Sequence, residues 1–159
     1  DTLMFAIGQS DNLFTPLSIC QYTAAITNGG TRYAAHLLSR VVEFGTGEVI
    51  YEKAPEVLSS FTLSDSSVRA VKEGMRQVIY RGTSASLSSY FSDLPASVIV
   101  GGKTGTAQVR ATESDNGVFT CVAPLDSPEI TVTVLIERAG GGSAVAFTAP
   151  RILSFFFAE

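Results

Sequence analysis

Ile130, Val132, Val134 and Ile136 alternate with Thr131 and Thr133, and a period of two commits this segment to a β-strand with one wholly apolar face. Such a strand needs neighbours. Val98-Ile99-Val100 and the run from Val118 to Val122 precede it, both β-branched and set off by glycine, proline and aspartate, so three strands are predicted. Pro124-Leu125-Asp126-Ser127-Pro128 is short enough to join the second and third as antiparallel neighbours. The apolar face also needs a cover. Residues Ala144 to Phe157 are expected to supply it as a terminal helix presenting Phe147, Phe155 and Phe156, with Pro150 costing a backbone bond and kinking the helix.

The first part of the chain carries a different pattern. Thr15-Pro16 opens a helix, because a threonine side chain caps free N–H groups and proline at the first helical position has no N–H to waste. Leu17, Cys20, Ala24 and Ala25 recur at helical spacing, and Asn28-Gly29-Gly30 tolerates the left-handed C-terminal cap, so the helix is expected to end near Asn28. Val41-Val42-Glu43-Phe44 and Glu48-Val49-Ile50-Tyr51 flank Gly45-Thr46-Gly47, which predicts a hairpin. Ser64-Asp65 caps a second helix. Val68, Val71, Met75, Val78 and Ile79 fall on one face of it, and Arg69, Lys72, Glu73 and Arg76 on the other. Arg81 to Ser92, rich in Ser, Gly and Thr, reads as a loop or a poorly regular helix. Helices first and an antiparallel sheet last give an α+β fold, divided at about residue 97 into a helical region with a hairpin and a region of sheet strands and C-terminal helix.

Composition excludes several functions. The chain has 159 residues, 45% hydrophobic and 16% charged, which suits one folded core. Net charge is -4 and the 11 Lys and Arg residues are scattered, so nucleic acid is not an expected partner. Cys20 and Cys121 both lie among apolar neighbours and read as buried thiols; two cysteines define no metal site. No metal or cofactor is expected. No apolar run approaches the roughly 18 residues of a membrane span, and Asp1-Thr2-Leu3 begins mid-pattern with no basic segment before it. The chain as given is therefore expected neither to span a membrane nor to carry an export signal.

Gly101-Gly102-Lys103-Thr104-Gly105-Thr106-Ala107-Gln108 asks for a chemical explanation. A phosphate-binding loop needs a glycine five positions before the Gly-Lys-Thr, where Ser97 stands, and an apolar run fills the place of the flexible cradle. The segment instead reads as a strand edge bearing the Lys-Thr-Gly element of acyl-transferring serine enzymes. Lys103 and Gly105 share one face and Thr104 and Thr106 the other, so twist or a bulge must bring both sets to one cleft. Gly105 lets a substrate backbone lie close. An ammonium supplies positive charge for a carboxylate and for proton transfer, and free strand N–H groups can hold an oxyanion.

Several ordered segments resemble one family. Ala6-Ile7-Gly8-Gln9-Ser10-Asp11-Asn12-Leu13-Phe14-Thr15-Pro16-Leu17 is similar to the glycine-glutamine segment and following helix of class B penicillin-binding proteins. Asn28-Gly29-Gly30-Thr31-Arg32-Tyr33 resembles the turn after that helix, and Ala70 to Val78 the helix before the active-site strand. Gly102 to Gln108 then arrives at the expected interval, and Phe119 to Pro124 and Ile130 to Glu137 resemble the next two strands. The likeness runs from about Ala6 to about Phe157. It implies the C-terminal part of a single transpeptidase domain of the penicillin-binding and serine β-lactamase-like fold.

The resemblance also implies roles. Lys103 would lie beside a serine nucleophile, the Thr104 and Thr106 hydroxyls would bind the terminal carboxylate of a stem peptide or of penicillin, with Gly105 between them, and the Thr106 N–H would donate to the oxyanion. The implied activity is that of a peptidoglycan D,D-transpeptidase on the outer face of the cell membrane, acting on stem peptides and acylated by β-lactams. Its serine, three residues before a lysine, is missing: Lys53, Lys72 and Lys103 follow Ile50, Arg69 and Val100 at that distance. The chain alone is therefore expected to be inactive and to associate with the missing N-terminal half or with itself. Ser10-Asp11-Asn12 is set aside as the catalytic triplet because its flanks match the later glycine-glutamine segment. Ser114-Asp115-Asn116, followed by Gly117, reads as a hairpin turn. His36 reads as a structural histidine, and Glu113 and Asp115 as solvated carboxylates. The rival functions are a serine β-lactamase-like hydrolase, which also needs Ser-x-x-Lys, and a non-catalytic peptide- or protein-binding module of the same fold.

Overall fold

The structure, a computed structural model, describes Leu3, residues 13–110 and residues 112–158. From Leu13 onward the first element is helix α1 (Pro16–Thr27), where Thr15 Oγ1 accepts the Ser18 N–H at 3.1 Å. Three short strands and a fourth follow: β1 (Thr31–Tyr33), β2 (Arg40–Val42), β3 (Val49–Glu52) and β4 (Val57–Ser60). β2 and β3 form the expected hairpin, and β1 pairs with β4 outside it. Helix α2 (Asp65–Tyr80) has Ser64 as its cap, accepting from Ser67 N–H at 3.2 Å. On its outer face Arg76 and Gln77 hydrogen-bond Glu73 and hold its carboxyl down to about 2 from an ordinary 4.5. That contribution is present above about pH 4.5 and is lost as the pH falls toward 2.

Residues 81–92, open between loop and irregular helix on sequence, contain a 3-10 helix at Ala85–Phe91. Strands β5 (Gly101–Ala107), β6 (Asn116–Ala123) and β7 (Ile130–Ile136) make one antiparallel sheet in the order β5-β6-β7. Val98-Ile99-Val100 is not part of it, contrary to the sequence reading: the strand begins at Gly101. Pro124 has no N–H to continue the ladder beyond Ala123, and a single bond from Leu125 N–H to Ile99 C=O, 2.7 Å, holds the approach instead. Val100 still reaches the core, fully buried.

The two sheet faces divide the molecule. Phe119, Cys121 and Ala123 of β6 join Val132 of β7, Ile79 of α2, Phe91, Leu94 and Val100 in the main core. Two C-terminal helices, α3 (Gly142–Val145) and α4 (Thr148–Phe156), complete it. The cover is thus where the sequence places it, but different residues provide it. Val145, Ala146, Ala149 and Leu153 are fully buried, whereas Phe147 is 51%, Phe155 75% and Phe156 42% exposed. Small side chains let the helices approach the sheet, which phenylalanines on that face would hold off. Pro150 sits in the first turn of α4, where its missing N–H costs nothing. On the opposite face, α1 lies against β6 and β7, with Cys20 Sγ donating to Thr131 C=O at 3.4 Å.

The start of α3 sits directly on the strands. A Cβ at Gly142 would lie 2.5 Å from the Gly105 and Val118 carbonyl oxygens and 2.6 Å from the Gly105 nitrogen. None of these backbone atoms can retreat without opening the β5–β6 ladder. Gly142→Ala is therefore expected to destabilise the protein by about 2 kcal/mol or more, read as a lower denaturation midpoint; an unchanged midpoint would contradict this packing.

Candidate active-site strand

Two glycines decide where β5 lies. A Cβ at Gly101 would meet Leu125 at 2.5 Å and Met75 at 3.1 Å, and one at Gly102 would meet Phe119 at 2.8 Å and Ile79 at 2.9 Å. Successive residues of a strand face opposite ways, so Met75 reaches one sheet face and Ile79 the other. Helix α2 therefore straddles the start of β5. Beyond the glycines, Lys103 and Thr106 are exposed and Thr104 and Gly105 half-buried. Among the described residues β5 pairs with β6 alone, and such an edge strand leaves alternate backbone N–H and C=O groups unpaired.

No bulge merges the two faces. The β5–β6 register runs without a shift from Gly101↔Val122 to Ala107↔Asn116, and the irregularities fall instead in the β1–β4 and β2–β3 pairs. Lys103 stands in a row with Thr120 and Thr133. Thr120 and Thr133 share a hydroxyl hydrogen bond of 2.8 Å, and the Thr23 hydroxyl of α1 lies 3.5 Å from Thr120. The lysine ammonium bends back and donates to the Thr104 carbonyl of its own strand. On the other face, the Thr104 hydroxyl meets that of Thr83 at 3.1 Å. The Thr106 hydroxyl accepts from Gly142 N–H at 3.4 Å. Lys103 thus points from one face of the strand and Thr104 and Thr106 from the other, with the exposed edge between them.

Lys103 opens onto an apolar trench of about 480 Å³ between α1, α2 and the sheet, walled by Ile19, Ile26, Val71, Met75 and Val78 among others. This explains a departure from the predicted apolar face of α2. Met75 and Ile79 are buried, but Val71, on the trench lip, is 43% exposed.

The turns at the far end of β5 and β6 are tied together. Glu113 is paired with Arg110 at 3.0 Å and with Arg138 at 3.1 Å, where sequence suggested a merely solvated carboxylate. Asn116 begins β6, and its side-chain oxygen takes the N–H of Arg138, which has a left-handed φ of 58°. The Asp115 backbone carbonyl accepts from Gly140 N–H at 2.9 Å. These bonds fix the turn that brings Gly142 to Thr106. His36 is exposed. Ser10-Asp11-Asn12 lies outside the described residues.

Thr83 is the site neighbour that sequence reasoning missed. It falls in the Ser, Gly and Thr-rich stretch, and its only local signal was Gly82 ending a helix just before it.

Comparison with known proteins places the chain in a family. Residues 1–154 match the family model for the penicillin binding protein transpeptidase domain. Penicillin-binding protein 2A of Bacillus subtilis is 35% identical over 84% of this chain and 20% of its own length. The peptidoglycan D,D-transpeptidase MrdA of Haemophilus influenzae is 30% identical over 98% of this chain and 26% of its own. The crystal structure of Pseudomonas aeruginosa PBP2 in complex with WCK 5153 superposes with a TM-score of 0.71 at 30% identity, covering 98% of this chain and 31% of that one. The chain belongs to the penicillin-binding protein transpeptidase family, with that family's fold. It spans only about a fifth to a quarter of the length of the curated relatives.

Cys20 is only half-buried, so the sequence reading of two buried thiols holds for Cys121 alone. Cys121 is fully buried in β6, and burial first, then the neighbouring Cys20, pushes its thiol up to about 12. Both thiols are free. A thiol reagent at pH 8 should therefore leave Cys121 unmodified in the native protein and modify it after denaturation; rapid native modification would contradict its burial.

Proposed function

We propose that this chain is the C-terminal wall of a peptidoglycan D,D-transpeptidase cleft, a piece of one domain whose serine nucleophile lies in a preceding segment. The observation that carries this reading is the exposed edge of β5, where Lys103, Thr104 and Thr106 stand beside unpaired backbone groups. Family membership supports it, and so do the names of the relatives.

In the proposed reaction a serine hydroxyl attacks the carbonyl carbon between the two D-alanines of a stem peptide. The terminal D-alanine leaves as an amine, and a neighbouring stem-peptide amine then takes the acyl group and restores the hydroxyl. Lys103 is positioned to hold positive charge next to that serine. The Thr104 and Thr106 hydroxyls donate to the substrate's terminal carboxylate, with Gly105 leaving room between them. The Thr106 N–H donates to the oxyanion, a contribution worth about 3 kcal/mol when such a donor is lost. A β-lactam follows the same first step, but its leaving nitrogen stays tethered.

The chain itself contains no serine three residues before a lysine, so it forms no acyl-enzyme alone. The preceding half of the domain is the proposed occupant of the apolar trench, which would bring its serine to Lys103. By the same family likeness the domain stands at the outer face of the cell membrane. Among the described residues, no helix is long and apolar enough to cross a membrane.

Fluorescent penicillin tests this directly. The isolated chain should remain unlabelled, and the full-length protein should be labelled covalently. Lys103→Ala should lower the labelling rate about 100-fold or more. Covalent labelling of the isolated chain would overturn the placement of the nucleophile. A full-length protein that never labels would favour a non-catalytic binding module. If isolated chains self-associate and lose that association when the preceding segment is supplied, the trench has found its natural cover.

A further inference from the structure

The hydroxyls of Thr83 and Thr104 meet at 3.1 Å across 21 residues of sequence. Thr83 stands where α2 has just ended, and its backbone is pinned on both sides. Before it, a Cβ at Gly82 would lie 3.0 Å from Val78 Cα and 3.1 Å from the Gln77 carbonyl oxygen, so the chain turns hard against the helix. After it, Ser84 is 1% exposed and donates its N–H to Val78 C=O at 3.0 Å, while Leu87 N–H donates back to the Ser84 carbonyl at 2.9 Å. Thr83 itself remains exposed. Its hydroxyl is thus held on a rigid turn and aimed at β5.

We propose that Thr83 is a positioning residue that sets the direction of the Thr104 hydroxyl for binding of a substrate or β-lactam carboxylate. This rests on the transpeptidase reading. A hydroxyl carries one proton and two acceptor lone pairs, so the Thr83–Thr104 bond can run either way in the free protein. A carboxylate accepts only. Once it arrives, the Thr104 proton turns to it, and the Thr83 proton turns to the oxygen of Thr104. The result is a chain from Thr83 to Thr104 to carboxylate, in which each hydrogen bond polarises the next. Without the Thr83 hydroxyl, Thr104 loses that support and the fixed orientation it brings.

The test uses full-length protein and benzylpenicillin, with the binding step separated from the acylation step. Thr83→Val should weaken binding about 3- to 10-fold and leave the acylation rate within about twofold. Thr83→Ala should behave alike, and Thr83→Ser, which keeps the hydroxyl, should restore binding. Benzylpenicillin methyl ester, whose carboxylate is masked, should bind wild type and Thr83→Val equally. Equal losses for acid and ester would show a structural role and overturn the proposal, as would unchanged binding of the acid by both hydroxyl-lacking variants. If wild type itself never acylates, the transpeptidase reading has failed and this inference falls with it; acylation with no acid-specific loss sinks this inference alone.

Discussion

The straddling of β5 by α2 is the contact on which the rest of the site depends. It exists because Gly101 and Gly102 offer no side chain to either face, so Met75 and Ile79 close on the strand from opposite sides at distances a Cβ could not share. The near end of the Lys-Thr-Gly-Thr run follows from that clasp. The helix covers the first two residues of the strand and releases the next ones to solvent. Its C-terminal turn brings Thr83 to Thr104, and its other flank forms one wall of the trench onto which Lys103 opens.

The far end of the strand is secured by different means. Gly142 lies against the backbone of Gly105 and Val118, and Thr106 receives its N–H. The exposed Arg110–Glu113–Arg138 pairs each contribute little stability, but together with Asn116 they hold the turn that delivers Gly142. Lys103 and Thr106 are thus anchored by different elements, one by α2 and the other by the entry into α3. Between them the unshifted register keeps their side chains on opposite faces, so the free edge is the one place where both can address a single ligand.

Much of this was legible in the sequence because short-range rules decide it. Thr15 and Ser64 cap their helices as proline and serine patterns require, the Gly45–Gly47 turn makes its hairpin, and Ile130 to Ile136 alternates as written. What escaped depends on packing between distant segments. No local rule says that Ala146 and Ala149, rather than Phe147 and Phe155, will face the sheet, because the choice turns on how closely α3 and α4 must approach it. The delay of β5 to Gly101 depends on Pro124, just past the end of β6. Glu113 finds two arginines, one of them 25 residues away. The Lys103-Thr104-Gly105-Thr106 motif was readable as a strand edge, but of the twist or bulge expected to bring its faces together the bulge is absent from the β5–β6 register, and Thr83 became visible only with its partner in place.

The central claim is that ligand lies along the free edge of β5. Amide hydrogen exchange in the full-length protein, followed with and without covalently bound penicillin, tests it most directly. The account predicts slowed exchange in peptides covering residues 103–107, together with the turn at Thr83, and little change in the β2–β3 hairpin. Unchanged exchange in β5 upon acylation, with protection elsewhere in the chain, would contradict it.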